Sequence, residues 1–256
     1  MTLSNLETQV DSQLTAETIE EISIIIAARN LTPTVMSLDF LKFGGIVAKD
    51  WELSQQPILN PNLAQLHFKN GINITAQPRT ITISESLNGK NIGEIHAPQI
   101  AVRYIEKLPH AEYLGLSFSP KILVPFPNSP QTPRKYITET LLNSGVWKNI
   151  GQSPVQAGIN LMYLLDRCQL TINVAEARLH HEEMPRLTAL LFTGNFNYDV
   201  SETKELSKAE RITEIANNWQ EDLEAFREMV KDKFLAATNE NFGQLPEENI
   251  FPGTVL

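Results

Sequence analysis

The densest run of side chains able to bind a metal or carry a proton is His180-His181-Glu182-Glu183. Imidazoles and carboxylates are zinc-compatible donors, but a helical site places its ligands at i and i+4, and a loop site needs a further ligand from elsewhere. Adjacent histidines on an extended chain point to opposite sides, so at most one of the pair joins a given site. The run reads first as a charged, solvated loop. As a metal site it would use one of these histidines with Glu182 or Glu183; as the centre of an enzyme, the loop would draw help from Asp166 or Arg167. The other histidines, His67, His96 and His110, are scattered.

The remaining reactive residue types form no recognised pattern. Cys168 is the single cysteine. It lies in a turn-like Asp166-Arg167-Cys168-Gln169 with no nucleophile signature, and reads as a half-buried thiol. Adjacent acids occur at Glu20-Glu21, Glu182-Glu183, Glu221-Asp222 and Glu247-Glu248. Solvated faces account for them, and Glu221-Asp222 is expected on the polar side of a helix. Gly44-Gly45 is not followed by a phosphate-loop pattern, and reads as a strand-end bulge. The G-x-S-x-G, H-E-x-x-H and C-x-x-C signatures are absent. No residue can be assigned as general acid or base, and no cofactor is called for.

The elements that would position such residues are legible in the hydrophobic pattern. Ser23–Ala28 reads as a buried strand, Val35–Phe43 as an alternating strand, and Thr80–Ser84 as a further one. In Leu66–Ile74, a three-residue loop Lys69-Asn70-Gly71 pairs Phe68 with Ile72 and Leu66 with Ile74. That register puts all four apolar side chains on one face, turns His67 to the other, and gives Gly71 the left-handed position. A helix starts near Pro98, buries Ile100, Ala101, Tyr104, Ile105 and Leu108, and stops at Pro109. Leu114, Leu116 and Phe118 then alternate as a strand.

Five prolines between Pro120 and Pro133 suggest a boundary. A helix follows, with Thr132 as N-cap and Pro133 at its first position, ending near Asn143-Ser144-Gly145. Ile159–Leu165 and Leu170–Ala177 read as a hairpin around a four-residue loop Asp166–Gln169. Leu187–Thr193 and Phe196–Val200 read as another around Gly194-Asn195. From Ser207, a capping box with Glu210 opens one helix of about 30 residues, ~45 Å long. Its stripe is Ile212, Ile215, Trp219, Leu223, Phe226, Val230 and Phe234.

Runs of strands closed by helices give an α+β class: two packed halves, each an antiparallel sheet covered by one or two helices. The divisions are a polar leader (1–20), an N-terminal α+β half (21–125), a C-terminal α+β half (126–238) and a tail (239–256) strapped on through Phe242, Ile250 and Phe251.

Bulk properties narrow the function classes. With 21 Lys+Arg against 30 Asp+Glu the formal net charge of the 256 residues is −9. No cluster of basic residues offers a phosphate-binding surface, so no nucleic acid is expected as partner. No apolar run is long enough for a membrane span. The lone thiol and the polar, acidic N-terminus point to a soluble protein of the cytoplasm.

Three functions are carried forward in order. The first is a non-enzymatic interaction or assembly protein, joining a protein partner or its own copies through sheet edges or the long helix. The second is a binding module for a small apolar ligand, in a sheet–helix cavity lined by Tyr163, Leu191, Phe196, Tyr198, Trp219 and Phe226. The third is a metal-assisted enzyme using His180, His181, Glu182 and Glu183.

Overall fold

A computed structural model describes residues 18–126, 129–143, 145–181, 184–201 and 207–236. Among these residues nine strands form one antiparallel sheet: β1 (Ile19–Ala28), β2 (Ile58–Asn60), β3 (Leu63–His67), β4 (Ile72–Gln77), β5 (Thr80–Ser86), β6 (Tyr113–Pro125), β7 (Gly158–Leu164), β8 (Gln169–His181) and β9 (Met184–Asp199). Their order is β2-β3-β4-β5-β1-β6-β9-β8-β7. The helices are α1 (Leu38–Phe43), α2 (Ala97–Lys107), α3 (Thr132–Lys135), α4 (Lys208–Asn217) and α5 (Trp219–Glu228). π-helical turns extend α3 over Tyr136–Leu141 and α5 over Met229–Leu235. Strands and helices segregated in this way make an α+β protein.

One sheet face carries the core. A transverse row runs Leu66, Ile74, Ile83, Ile24, Phe118, Phe196, Leu170 and Tyr163, each residue opposite the next. All but Tyr163 are buried, and α2, α4 and α5 pack over this face. Alternation places hydroxyls and amides on the other face, where Asn73, Ser84, Ser23 and Ser119 follow one another from β4 to β6. There Ser23 and Ser84 share a 2.8 Å hydrogen bond.

The 66–74 hairpin has the expected register: Leu66 pairs with Ile74, the Phe68 amide donates to the Ile72 carbonyl at 2.8 Å, and Gly71 has φ +86°. His67 faces away from the core and its Nδ1 lies 2.7 Å from Asn73 Oδ1. Helix α2 also follows the expectation, with a feature the pattern did not show. The Glu85 carboxylate, fully buried at the end of β5, accepts the His96 and Ala97 amides at 2.7 Å and the Lys90 ammonium at 2.7 Å. A buried charge is sustained there by the first amides of the helix and by a cation.

Several expectations are corrected. Val35–Phe43 is a 3-10 turn (Pro33–Val35) followed by α1, not a strand. Ser37 caps the helix by accepting the Phe40 amide, and Gly44 closes it where a Cβ would lie 2.6 Å from the Phe40 carbonyl. In the third helix the N-cap is Gln131, one residue before Thr132. The long terminal helix is two: Asn218 (φ −88°, ψ 11°) ends α4 and begins α5. With the bend, the whole stripe from Ile212 to Phe234 is buried, so the described part of this segment has no overhanging apolar face. The Ser207–Glu210 capping box is present.

The proposed turn at Gly194-Asn195 is the middle of the continuous strand β9. Gly194 is there because the Phe226 ring occupies the space a side chain would need; an added Cβ would lie 2.8 Å from it. β6 likewise runs straight through Pro120, the start of the proline-rich stretch. Pro120 faces β9 and has no N–H to give it. The Ser119 hydroxyl donates to the Gly194 carbonyl at 2.8 Å instead, supplying the missing ladder bond. The tail residues Phe242, Ile250 and Phe251 lie outside the described residues.

Candidate interaction surface

The sheet ends on two edge strands, and β7 is the long one. Its sequence, Gly158-Ile159-Asn160-Leu161-Met162-Tyr163-Leu164, holds no charge and no proline. It is paired to β8 through a tighter turn than the pattern suggested. Tyr163 lies opposite Leu170, Leu161 opposite Ile172 and Ile159 opposite Val174, and the Leu165 amide donates to the Cys168 carbonyl at 2.9 Å. The loop is therefore Asp166-Arg167, not Asp166–Gln169. The slip is two residues, which keeps every side chain on its expected face, so apolar patterning could not detect it.

The phase of this ladder decides which backbone groups are free. Antiparallel pairs alternate between bonded and non-bonded. With Leu165 bonded to Cys168, the residues Ile159, Leu161 and Tyr163 spend their amides and carbonyls on β8. Gly158, Asn160, Met162 and Leu164 direct theirs outward. Met162 and Leu164 are 67% and 80% exposed, on the sheet face away from the helices. Tyr163, on the helix side, is 41% exposed. Val146 and Ile150, in the segment leading to β7, are also exposed.

A buried polar cluster anchors the hairpin that carries this edge. Asp222 on α5 is 2% exposed; Tyr198 Oη donates to its Oδ2 at 2.8 Å, and Arg167 from the β7–β8 turn donates to its Oδ1. Burial pushes the Asp222 carboxyl above the usual carboxylate range, against the pull of Tyr198 and Arg167. Burial, with the Asp222 charge, also pushes the Tyr198 phenol upward. Burial raises the Cys168 thiol, although Tyr198 and Arg167 both hydrogen-bond it. Burial, the largest single influence, would lower Arg167, but Asp222, Tyr198 and Cys168 together outweigh it and raise the guanidinium above its usual value. The arrangement is a pin: a turn cation held by an acid on the helix beneath. A raised thiol shows no activated nucleophile.

No protein-family model matches the chain, and no curated protein matches it.

The residues singled out in the sequence are distributed as follows. Phe196, Tyr198, Trp219 and Phe226 are buried beneath the helices; the Trp219 ring lies 6.5 Å from Phe118, itself 6.2 Å from Phe196. Tyr163 lies beyond Leu170 at the edge, and Leu191 is on the opposite face of β9 from Phe196. Among the described residues, none of these six lines either of two surface clefts. One, about 300 Å³, lies between Asn30–Thr32 and the end of α2, with Tyr104, Lys107 and His110 in its wall. The other, about 270 Å³, is bounded by Asp50, Trp51, Glu52, Lys69 and Asn70. His180 and His181 end β8, while Glu182 and Glu183 lie outside the described residues. Among the described residues no three His, Cys, Asp or Glu side chains gather as metal ligands. No described helix is long and apolar enough to cross a membrane.

Sequence reasoning missed two parts of this surface. As one of an adjacent acid pair Asp222 reads as a polar-face residue, yet it stands three residues after Trp219 and four before Phe226, positions that share a helix face. That spacing was the available signal of a buried acid. In β7, Met162 and Leu164 are apolar on the alternate phase, where a half-buried strand ordinarily turns polar residues outward.

Proposed function

We propose that this chain is an interaction protein of the cytoplasm that joins another polypeptide along the outer edge of β7. The observation that carries the reading is the seven-residue edge itself: free outward amides and carbonyls, no charge, no proline, and apolar side chains exposed on both faces. Edge strands are ordinarily blunted by charges, prolines, bulges or shortness, because an open edge templates another strand. β7 has none of these, and the Asp222 pin holds its hairpin in place. Pairing along such an edge draws affinity from main-chain bonds and selectivity from alternate side chains.

The same reading treats the chain as two halves, 21–125 and 126–238, sharing one core. What supports it is the strand order: β1 to β6 form one continuous block of the sheet and β7 to β9 the other, meeting where β6 pairs with β9.

Site-specific photo-crosslinking in cells producing the protein tests the edge assignment. A photoreactive residue at Met162 is expected to give an adduct of one defined mass, and one at Leu59 on β2 none. Equal labelling from both edges, or none from β7, overturns the reading.

A further inference from the structure

We infer that the strand taken up by β7 is the β7 of a second copy, in an antiparallel pair whose two-fold axis passes through Leu161. The inference rests on the edge-pairing reading above and names its partner.

The ladder phase leaves few ways for two identical edges to meet. Outward bonding groups belong to Gly158, Asn160, Met162 and Leu164, and an antiparallel pair bonds such residues to one another. The register that engages all four sets Gly158 opposite Leu164 of the other copy and Asn160 opposite its Met162. Leu161 then faces its own symmetry mate. On the helix side, Ile159 meets Tyr163, and one step beyond the strand Ala157 meets Leu165. Ile159, Leu161, Ala157 and Leu165 are partly buried residues already packed on the core, so the pairing carries the apolar layer across the axis.

The absence of charge along β7 makes it the stretch where a second copy meets the least repulsion. Two copies each bearing −9 repel, and a contact between them is best made where charge is lowest. No charged residue lies between Gly151 and Leu165. In the proposed register the first acid beyond the strand, Asp166, falls opposite the uncharged Gln156. The assembly also closes. β2, at the far end of the sheet, has three residues between Pro57 and Pro61, so each copy offers one long edge and growth stops at two.

Sedimentation equilibrium of the full chain, with cysteine cross-linking, is the test. The expected species has twice 28.8 kDa. Met162→Pro removes an amide that points away from β8, so the fold keeps its ladder while the mass is expected to halve. Residues facing each other in a non-bonded antiparallel pair have Cα atoms about 4.5 Å apart, within disulfide reach. In a Cys168→Ser background, Leu161→Cys is expected to give a covalent dimer on mild oxidation. Met162→Cys is expected to give none, because its mate is displaced two residues along the strand, roughly 8 Å away. A monomer at all concentrations with no cross-link from Leu161→Cys overturns the inference, as does a dimer that Met162→Pro leaves intact. A photo-adduct at Met162 whose mass is not twice the chain's rejects the second copy while the edge reading stands; no adduct at all rejects both.

Discussion

The two edges of the sheet are built to opposite rules. β2 has three residues, is bracketed by Pro57 and Pro61, and turns sharply into β3: Asn60 Oδ1 accepts the Asn62 and Leu63 amides at 2.9 and 3.0 Å. Its apolar residues are exposed too, Ile58 and Leu59 at 44% and 49%, so exposure alone does not separate the edges. What separates them is backbone. β2 is too short to template a strand, whereas β7 offers seven residues in one phase behind a buried acid. An apolar side chain at a sheet edge becomes an interaction element only with a run of free amides and carbonyls beside it.

The largest effect is expected from removing the pin. Asp222→Ala leaves the Tyr198 hydroxyl buried without its acceptor and takes the closer of two acids from Arg167, Glu221 standing at 3.9 Å, at a cost of about 3 kcal/mol. Arg167 is partly exposed and can turn to solvent, which keeps the loss from being larger. Urea unfolding measures the total, and amide exchange locates it: Leu161 and Tyr163 should exchange faster while Leu66 and Ile74, near β2, follow only the global change. Equal acceleration at both ends would mean that Asp222 supports the core at large and not the β7 hairpin.

A defect placed midway between the edges provides the contrast. Ser119→Ala strips the Gly194 carbonyl of the donor that replaces the missing Pro120 amide. The expected loss is about 1–3 kcal/mol, because a buried acceptor is left unpaired. Here exchange should quicken equally toward β2 and toward β7. A loss confined to the β7 side would show that the sheet opens in two units that part at β6–β9.

The pH dependence of the anchor has a definite sign. The folded-state pKa of Asp222 lies above its ordinary value, so the native state holds this proton more tightly than the unfolded chain. Its contribution to stability is fully present below the ordinary carboxylate pKa and is lost as pH rises through the raised one. Asp222→Asn, which imitates the protonated acid, should therefore gain on the unmodified protein as pH rises from 4 to 7. Urea melts across that range give the measurement, and a constant difference between the two would remove Asp222 as the titrating group.

How much of this was legible in the sequence differs from one edge to the other. The β3–β4 hairpin next to β2 could be read to the residue, because one register alone gathers Leu66, Phe68, Ile72 and Ile74 on a face and Gly71 suits the bulge. In the β7–β8 hairpin a two-residue slip satisfies the same pattern, so the faces were right and the partners wrong. Gly194 misled because a glycine in a strand can signal a turn or a close approach, and the Phe226 ring that decides between them comes 32 residues later in the chain. Val35–Phe43 alternates like a strand, yet Ser37 and Gly44 cap it as a helix at positions that alternation ignores. The bend at Asn218 and the burial of Asp222 depend on contacts made by α4 and α5 with the sheet, which periodicity does not encode.

The smallest effect is expected at β2, and its smallness is what the comparison requires. Asn60→Ala removes the acceptor of two backbone amides in an exposed turn, where water replaces it, so the loss should stay near 0.5–1 kcal/mol. The sheet beyond β3 should not respond, because β2 closes nothing that β3 and β4 do not already hold. Leu59→Lys adds a charge to an edge with too few backbone groups to pair, so the sedimentation behaviour of the chain should stay that of the unmodified protein. The matching change on β7, Met162→Lys, puts one charge per copy into the strand at the axis and should abolish association. If Leu59→Lys instead weakened association, β2 would be a contact surface despite its prolines, and edge length would not be what distinguishes the two ends of this sheet.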